Sequence, residues 1–449
     1  MKLNIDFING NTNKSLIKMF IPLLMAMTLT MIYSMVDSLW VGNMLGEHGL
    51  SALTVCTAIV LIMSSLSMGM GNGISVMIAQ MIGAKDKKGI SGGSATVITV
   101  SAVISVLGCI IAEILVTPVL TLMGTPAVIM AEASMYLKIY LVGNVALFIY
   151  VQFTSIFRAF GDSVFQMIGM IIPALFNAIA DPFMIKAYGL KGAAIATIVS
   201  EILCLVFAIF YHMKKRYFSF DFHEMSLKHV ATMMKLCIPT SIQAVMPAVS
   251  SAVMISFIAP FGTVAMAGFG VARNIEYLMF MPTTAMCMAV TSIVGQCSGA
   301  GRYDRAKDYL KSAVIFGASM IAAISAVVII FSGNLTAVFG QEEEVAQVVR
   351  EYFRILSIGY VLYMITSCLQ GYLTGIGRPE KAMLILIVYY IIIRIPAAMI
   401  LKNVFGLGGV WMAFLVSHVV SIVFAFIIYT GEIRNSEKSQ AAEGRLHSC

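Results

Sequence analysis

GNGISVMIAQMIGAKDKKG, residues 71–89, closes a long apolar run with a short basic loop, and TSIVGQCSGAGRYDRAK, residues 291–307, does the same in the second half of the chain. Gln80, Gly83 and Ala84 recur as Gln296, Gly299 and Ala300, 216 residues later. The correspondence extends outward in both directions. Pro22 matches Pro239, Tyr136 matches Tyr352 and Gly161 matches Gly377; Gly189, Leu190, Gly192 and Ala196 match Gly406, Leu407, Gly409 and Ala413, at offsets of 216 or 217. Matches spread over the whole half indicate one unit copied once.

The composition says what kind of unit it is. Of 449 residues, 59% are hydrophobic and 11% charged, where soluble domains carry roughly 25% charged residues. Mean hydropathy is +0.92. So few charges cannot cover so much apolar surface in water, which excludes a secreted domain, a cytosolic enzyme and a nucleic-acid reader. The net charge of +7 is no nucleic-acid footprint, because the basic residues sit in short loops between apolar runs. The apolar runs are continuous and do not alternate at period two, so a barrel is not indicated. The eight cysteines lack metal spacing and imply no disulfide framework. The start, MKLNIDFINGNTNKSLIKMF, does not read as a cleavable leader.

A helix needs about 20 apolar residues to cross the hydrocarbon core. Twelve such segments are expected, at 15–41, 49–82, 91–123, 128–159, 164–186, 191–213, 229–259, 264–298, 306–333, 346–375, 380–402 and 407–430. The expected fold is therefore an all-α membrane protein of two pseudo-symmetric six-helix lobes. Residues 1–213 form the N-terminal lobe, 214–228 a cytoplasmic linker, 229–430 the C-terminal lobe and 431–449 a cytoplasmic polar tail. Six is even, so both copies enter the membrane in the same direction, related by an axis along its normal, with the substrate path between them. With the N-terminus inside, inside segments hold 21 of the 29 Lys and Arg, outside loops hold six, and Arg273 and Arg394 lie within spans. This places both termini in the cytoplasm of a cell-membrane protein.

Ionisable groups inside a bilayer are costly and default to function. Asp37, Asp181 and Glu201 lie within apolar runs of the first half. Asn177 precedes Asp181 by one helical turn, on the same face. With Thr197, three helices bring Asp37, Asn177, Asp181 and Thr197 to similar heights in the outer half. Two carboxylates, an amide oxygen and a hydroxyl suit a small cation or a proton. Plainer readings have Asp181 capping a helix end before Pro182 and Asp37 bonded to Ser34 or Tyr33. The second half does not keep the set: Asp37 maps near Val253, Asn177 near Ile393 or Arg394, and Glu201 onto His418. That half instead carries Arg273, Glu276, Arg394 and His418. Arg273 and Glu276, three apart, are expected to pair along one helix; Arg394 either meets Glu276 or faces the cavity. Among 34 methionines, Met31 is a candidate for a soft, adaptable drug-binding lining.

The pattern resembles the multidrug and toxic compound extrusion (MATE) family over essentially the whole chain. The carrying residues are Pro22, Asp37 with LWVGNMLG, the pair of loops quoted above, RAFGDS at 158–163, NAIADP at 177–182 and YGLKGAAIAT at 188–197. The resemblance implies two lobes in a V around a cavity, and antiport in which a toxic organic compound, cationic or amphipathic, leaves as Na⁺ or H⁺ enters. It assigns Asp37, Asn177, Asp181 and Thr197 to the cation site, Tyr140 to an aromatic neighbour of it, and Pro22 to a bend in the first helix. Glu276, Arg394 and His418 join Met31 as substrate-cavity candidates. The region CIPTSIQAVMPAV at 237–249 lacks the carboxylate that some members carry on the seventh span. No cofactor, no enzymatic activity and no nucleic-acid partner are expected; the partners are small organic substrates and the lipid bilayer, and the protein is expected to be a monomer. The rival reading is a flippase for a lipid-linked oligosaccharide of the same superfamily, which would use cavity cations to hold pyrophosphate.

Overall fold

The structure, a computed structural model, describes residues 5–338 and 343–446. Among these, all regular secondary structure is helical. Eleven helices are long and apolar enough to cross a membrane: α1 Thr12–Gly46, α2 His48–Gly83, α3 Lys87–Leu122, α4 Ala127–Ala159, α5 Val164–Tyr188, α6 Leu190–Lys215, α7 Leu227–Phe261, α8 Thr263–Gly299, α9 Tyr303–Phe331, α10 Glu343–Gly375 and α11 Pro379–Arg434.

The sequence reading divides α11 into two spans. Its 56 residues would measure ~84 Å if straight, against a hydrocarbon core of ~30 Å. The helix is interrupted at Gly406, where φ is 60° and ψ is −136°. A second irregularity, a π-helical turn over Val388–Ile393, ends just before Arg394.

Helix starts and stops follow local chemistry. The Asn11 side chain accepts the Lys14 N–H at 3.0 Å and Asp86 accepts that of Gly89 at 2.9 Å, each capping a first turn. Arg216, with φ 50°, ends α6, and its N–H bonds to His212 O. Pro22 lies inside α1, whose backbone stays helical up to Gly46.

By its contacts the chain divides into two compact units, Met1–Val245 with Gly295–Arg305, and Met246–Val294 with Ala306–Cys449. In the first unit α4 packs against α3, α6 and the α1–α2 pair, and α5 packs against α6. Helices in lipid gain no hydrophobic free energy from associating, so close packing at small residues takes that role. A Cβ placed on Gly73 would stand 2.8 Å from Cys237 Cα. One placed on Gly83 would stand 2.1 Å from Gln296 O, and one on Gly299 would stand 2.0 Å from Gln80 O, so these repeat-equivalent positions cross backbone to backbone.

The end of this unit beyond α6 is filled with rings. Phe157 and Phe165 lie 4.5 Å apart, Phe165 and Tyr211 4.8 Å, and His212 and Phe218 4.5 Å. Asp162 accepts from Tyr211 at 2.8 Å and Tyr217 at 2.9 Å. The second unit has its own aromatic core, in which Trp411 stacks on Phe269 and meets Tyr352 edge-on.

Large apolar side chains cover the outward faces, among them Ile110, Ile111 and Ile114 on α3, Phe183 on α5 and Phe210 on α6. Such continuous apolar surface suits hydrocarbon and not water. Seven cysteines are free thiols in these helices; Cys449 lies outside the described residues.

Candidate cation site and its second-lobe counterpart

Four helices of the first unit each present polar side chains one turn apart: Tyr33 and Asp37 on α1, Tyr136, Tyr140 and Asn144 on α4, Asn177 and Asp181 on α5, Thr197 and Glu201 on α6. The i, i+4 spacing stacks each set along one face.

Hydrogen bonds tie three of these helices together. Asn177 Nδ2 donates to Tyr33 Oη at 2.9 Å, Tyr33 Oη donates to Thr197 Oγ1 at 3.5 Å, and Thr197 Oγ1 donates to Ala193 O at 3.1 Å. This chain of donors ends on a backbone carbonyl, so none of its protons reaches a carboxylate. Asp37 Oδ1, Asn177 Oδ1 and both carboxylate oxygens of Asp181 are buried without a hydrogen-bond partner. Asp181 is 0% exposed and Asn177 1%. The Asp37 carboxylate lies within electrostatic reach of Asp181, Tyr33, Tyr136 and Tyr140. Tyr136 and Tyr140 stack with ring centroids 6.3 Å apart.

The plainer readings of the two acids do not hold. Asp181 sits inside α5, which runs on to Tyr188, and caps no helix end. Asp37 Oδ1 has no bond to Ser34 or Tyr33. Pro182 lacks the N–H that would bond Ala178 O, which releases one more backbone acceptor beside Asn177. Pro173 frees Gly169 O in the same way, and the Cys204 thiol takes it at 3.5 Å.

Among the described residues, the ion pairs lie elsewhere, for example Lys88 with Glu224 and Lys381 with Glu432. Taking an ion out of water costs several kcal/mol per charge even after relaxation. Buried carboxylate oxygens that no side-chain donor or protein cation reaches therefore favour a bound proton or a hard cation.

Tyr33 is the site residue that the sequence reading passed over. From the sequence it is only a candidate partner for Asp37, whereas its hydroxyl joins Asn177 to Thr197. The signal was its position one turn before Asp37.

The second unit resolves the same helical frame differently. At an offset of 217, Arg394 corresponds to Asn177, Ser250 to Tyr33, Phe414 to Thr197 and His418 to Glu201. The Arg394 guanidinium donates to Ser417 Oγ at 3.2 Å and Ser250 Oγ at 3.4 Å. It lies 4.4 Å from the ring centre of Tyr389, 4.8 Å from that of Tyr390 and 4.4 Å from that of Phe414, a cation–π cage. His418 is buried, with the Tyr389 hydroxyl 3.0 Å from Nδ1. The second unit thus carries a tethered cation where the first carries carboxylate oxygens without a hydrogen-bond donor.

The expected Arg273–Glu276 pair does not form. Glu276 accepts from Tyr352 at 3.1 Å and Tyr360 at 3.0 Å, and feels the Arg394 charge. Arg273 is exposed and lies over the Phe269 ring. Three residues along a helix turn the side chain by about 60° from alignment, enough to put one inside the lobe and the other on its surface. Met31 is half-buried on α1.

Two bundles of apolar helices built on one repeat, with an unpaired acid pocket inside the first, define a multi-pass membrane transporter. The MatE family model matches residues 22–183 and again 239–400, the same 217-residue offset and well over half of the chain. The chain belongs to the MATE family.

Curated relatives cover nearly its full length. It is 25% identical over 431 residues to the probable multidrug resistance protein YpnP of Bacillus subtilis, covering 94% of this chain and 96% of that one. It is 22% identical to the multidrug export protein MepA of Staphylococcus saprophyticus, covering 98% of each. A solved MOP superfamily transporter from Pyrococcus furiosus shares the fold with a TM-score of 0.91 at 22% identity, covering 96% of this chain and 98% of that one.

Proposed function

We propose that the chain is a secondary antiporter that exports organic compounds, cationic or amphipathic, in exchange for Na⁺ or H⁺ by alternating access. The observation that carries the reading is Asp181, with both carboxylate oxygens buried and unpaired in reach of the Asp37 charge. Asp37, Asn177, Asp181 and Thr197 receive the coupling ion, with Tyr140 beside them. The names of the relatives, multidrug resistance and multidrug export proteins, support the substrate class. A cation can move the conformational equilibrium only through different affinities for the two states. The pocket supplies the difference if its oxygens close around the ion in one state and open in the other.

In this reading α11 crosses twice, turning at Gly406, which gives twelve crossings with both termini in the cytoplasm. Pro22 marks where α1 bends. Met31, Glu276, Arg394 and His418 belong to the substrate-responsive interior. The protein works as a monomer without a cofactor, and it transports without catalysing a reaction. Enclosure of Arg394 by two serines and three rings weighs against the flippase reading, which needs free cations for pyrophosphate.

The test is drug efflux from proteoliposomes under an imposed Na⁺ gradient and then an imposed pH gradient. Wild-type protein responds to at least one of them, and Asp37→Asn protein, folded to the same extent, responds to neither. Unchanged gradient-driven efflux in Asp37→Asn would refute the assignment.

A further inference from the structure

Glu201 belongs to none of the hydrogen bonds that join the cation pocket. It sits one turn beyond Thr197 on α6, about 6 Å further along the helix axis, and is 6% exposed. Its Oε2 is buried with no partner. The carboxylate rests in a notch at Gly143 of α4, where a Cβ would stand 2.8 Å from Oε2 and 2.5 Å from Ile198 Cγ1. Asn144, next in sequence, has a buried Oδ1 that also lacks a donor. The titratable groups within electrostatic reach of Glu201 are Tyr33 on α1, Tyr140 on α4 and Cys204 on α6 itself. Asp37 acts on Tyr33 and Tyr140 as well. None of these is a cation.

The charge count matters here. The pocket and its neighbour hold three carboxylates, Asp37, Asp181 and Glu201, and among the described residues no Lys or Arg pairs with any of them. One monovalent cation shared by Asp37 and Asp181 leaves that pair with one net negative charge, and an ionised Glu201 adds a second in a low-dielectric interior. We infer that Glu201 is a second exchangeable site, binding a proton, so that the first lobe carries two monovalent charges per transport cycle. This rests on the antiport reading above. The step is a simple protonation: the carboxylate takes H⁺ at one oxygen in one conformation and returns it in the other. Glu201 and Asp37 both reach Tyr33 and Tyr140, so a conformation that admits water to Asp37 brings it close to Glu201 as well. In the second unit the equivalent residue is His418 beside Arg394, which needs no such neutralisation.

The experiment is a coupling stoichiometry. Purified full-length protein in proteoliposomes is poised between a drug gradient and opposing ion gradients, and the balance point gives charges per drug. Wild type is expected to move two and Glu201→Gln one, with Glu201→Gln still driven by the remaining gradient. The same stoichiometry in both overturns the inference while leaving the antiporter reading intact. A wild type driven by no ion gradient fails the antiporter reading itself, and the inference with it. Should Glu201→Gln fail to fold, infrared difference spectra decide on an Asp37→Asn, Asp181→Asn background. A protonated carboxyl band that disappears as pH is raised supports an exchangeable Glu201, and a band indifferent to pH overturns it. A purely structural acid would leave both the balance point and the band unmoved.

Discussion

Gly189 and Gly406 hold the same backbone conformation 217 residues apart, with φ 63° and ψ −143° at the first and φ 60° and ψ −136° at the second. Each interrupts the helical backbone between two apolar segments. The pairs Gly46 and Gly262, Lys85 and Gly301, and Gly161 and Gly377 repeat the agreement, every member having positive φ. The duplication is therefore written into the turns as well as the spans, and the interruption inside α11 is the second copy of the α5–α6 turn.

That conformation is open to glycine and costly to other residues. Gly189→Ala and Gly406→Ala should each lower stability by about 1–3 kcal/mol. No atom lies within 4 Å of a Cβ added at Gly189, so the cost there is backbone strain alone. The two sites lie in separate units, so the double variant should sum within about 0.5 kcal/mol. Thermal melts of detergent-purified protein test this, and unchanged melting in both single variants would contradict it.

Tyr33→Phe removes the hydroxyl that links Asn177 to Thr197. Both partners then lose their fixed orientation toward the ion. Cation affinity should fall by about 1 kcal/mol, roughly fivefold, with the helices still packed. Titration of ion-dependent tryptophan fluorescence or thermal protection would measure it; equal affinity would show that the hydroxyl orders nothing.

Asp181→Asn should separate stability from function. It replaces a buried carboxyl that has no partner with a neutral amide, so in the absence of the coupling ion stability at neutral pH should rise by about 1–3 kcal/mol. Gradient-driven efflux should be lost. A variant that is both less stable and inactive would mean that Asp181 is held by contacts other than those seen.

Arg394 and Glu276 should show energetic coupling although no direct ion pair joins them. Each feels the charge of the other, and each is held by hydroxyls of neighbouring helices. Arg394→Met and Glu276→Gln should each destabilise. The double variant should recover about 0.5–3 kcal/mol of their sum. A cycle that closes additively would show that the two groups are independent.

The spans were legible because twenty-residue apolar runs have one physical use. The rise per residue also converts sequence position to an expected depth for Asp37, Asn177, Asp181 and Thr197. Tyr33 was not legible, because a tyrosine in an apolar helix reads as packing until its hydroxyl has named partners. The Arg273–Glu276 pair was misread for the opposite reason: spacing along one helix said nothing of the tyrosines on α10 that claim Glu276.

By itself the sequence determined an all-helical membrane protein made from one repeat, with Asp37, Asp181 and Glu201 inside apolar runs of its first half. Only the tertiary structure decided which polar groups are satisfied and which are left bare: Asn177 bonded and Asp181 not, Arg394 caged and Glu201 alone in its notch. Apolar pattern and helical rise fix position along an axis, whereas hydrogen bonding depends on each helix's rotation about that axis and its distance from its neighbours. Those are set by the packing of many side chains at once.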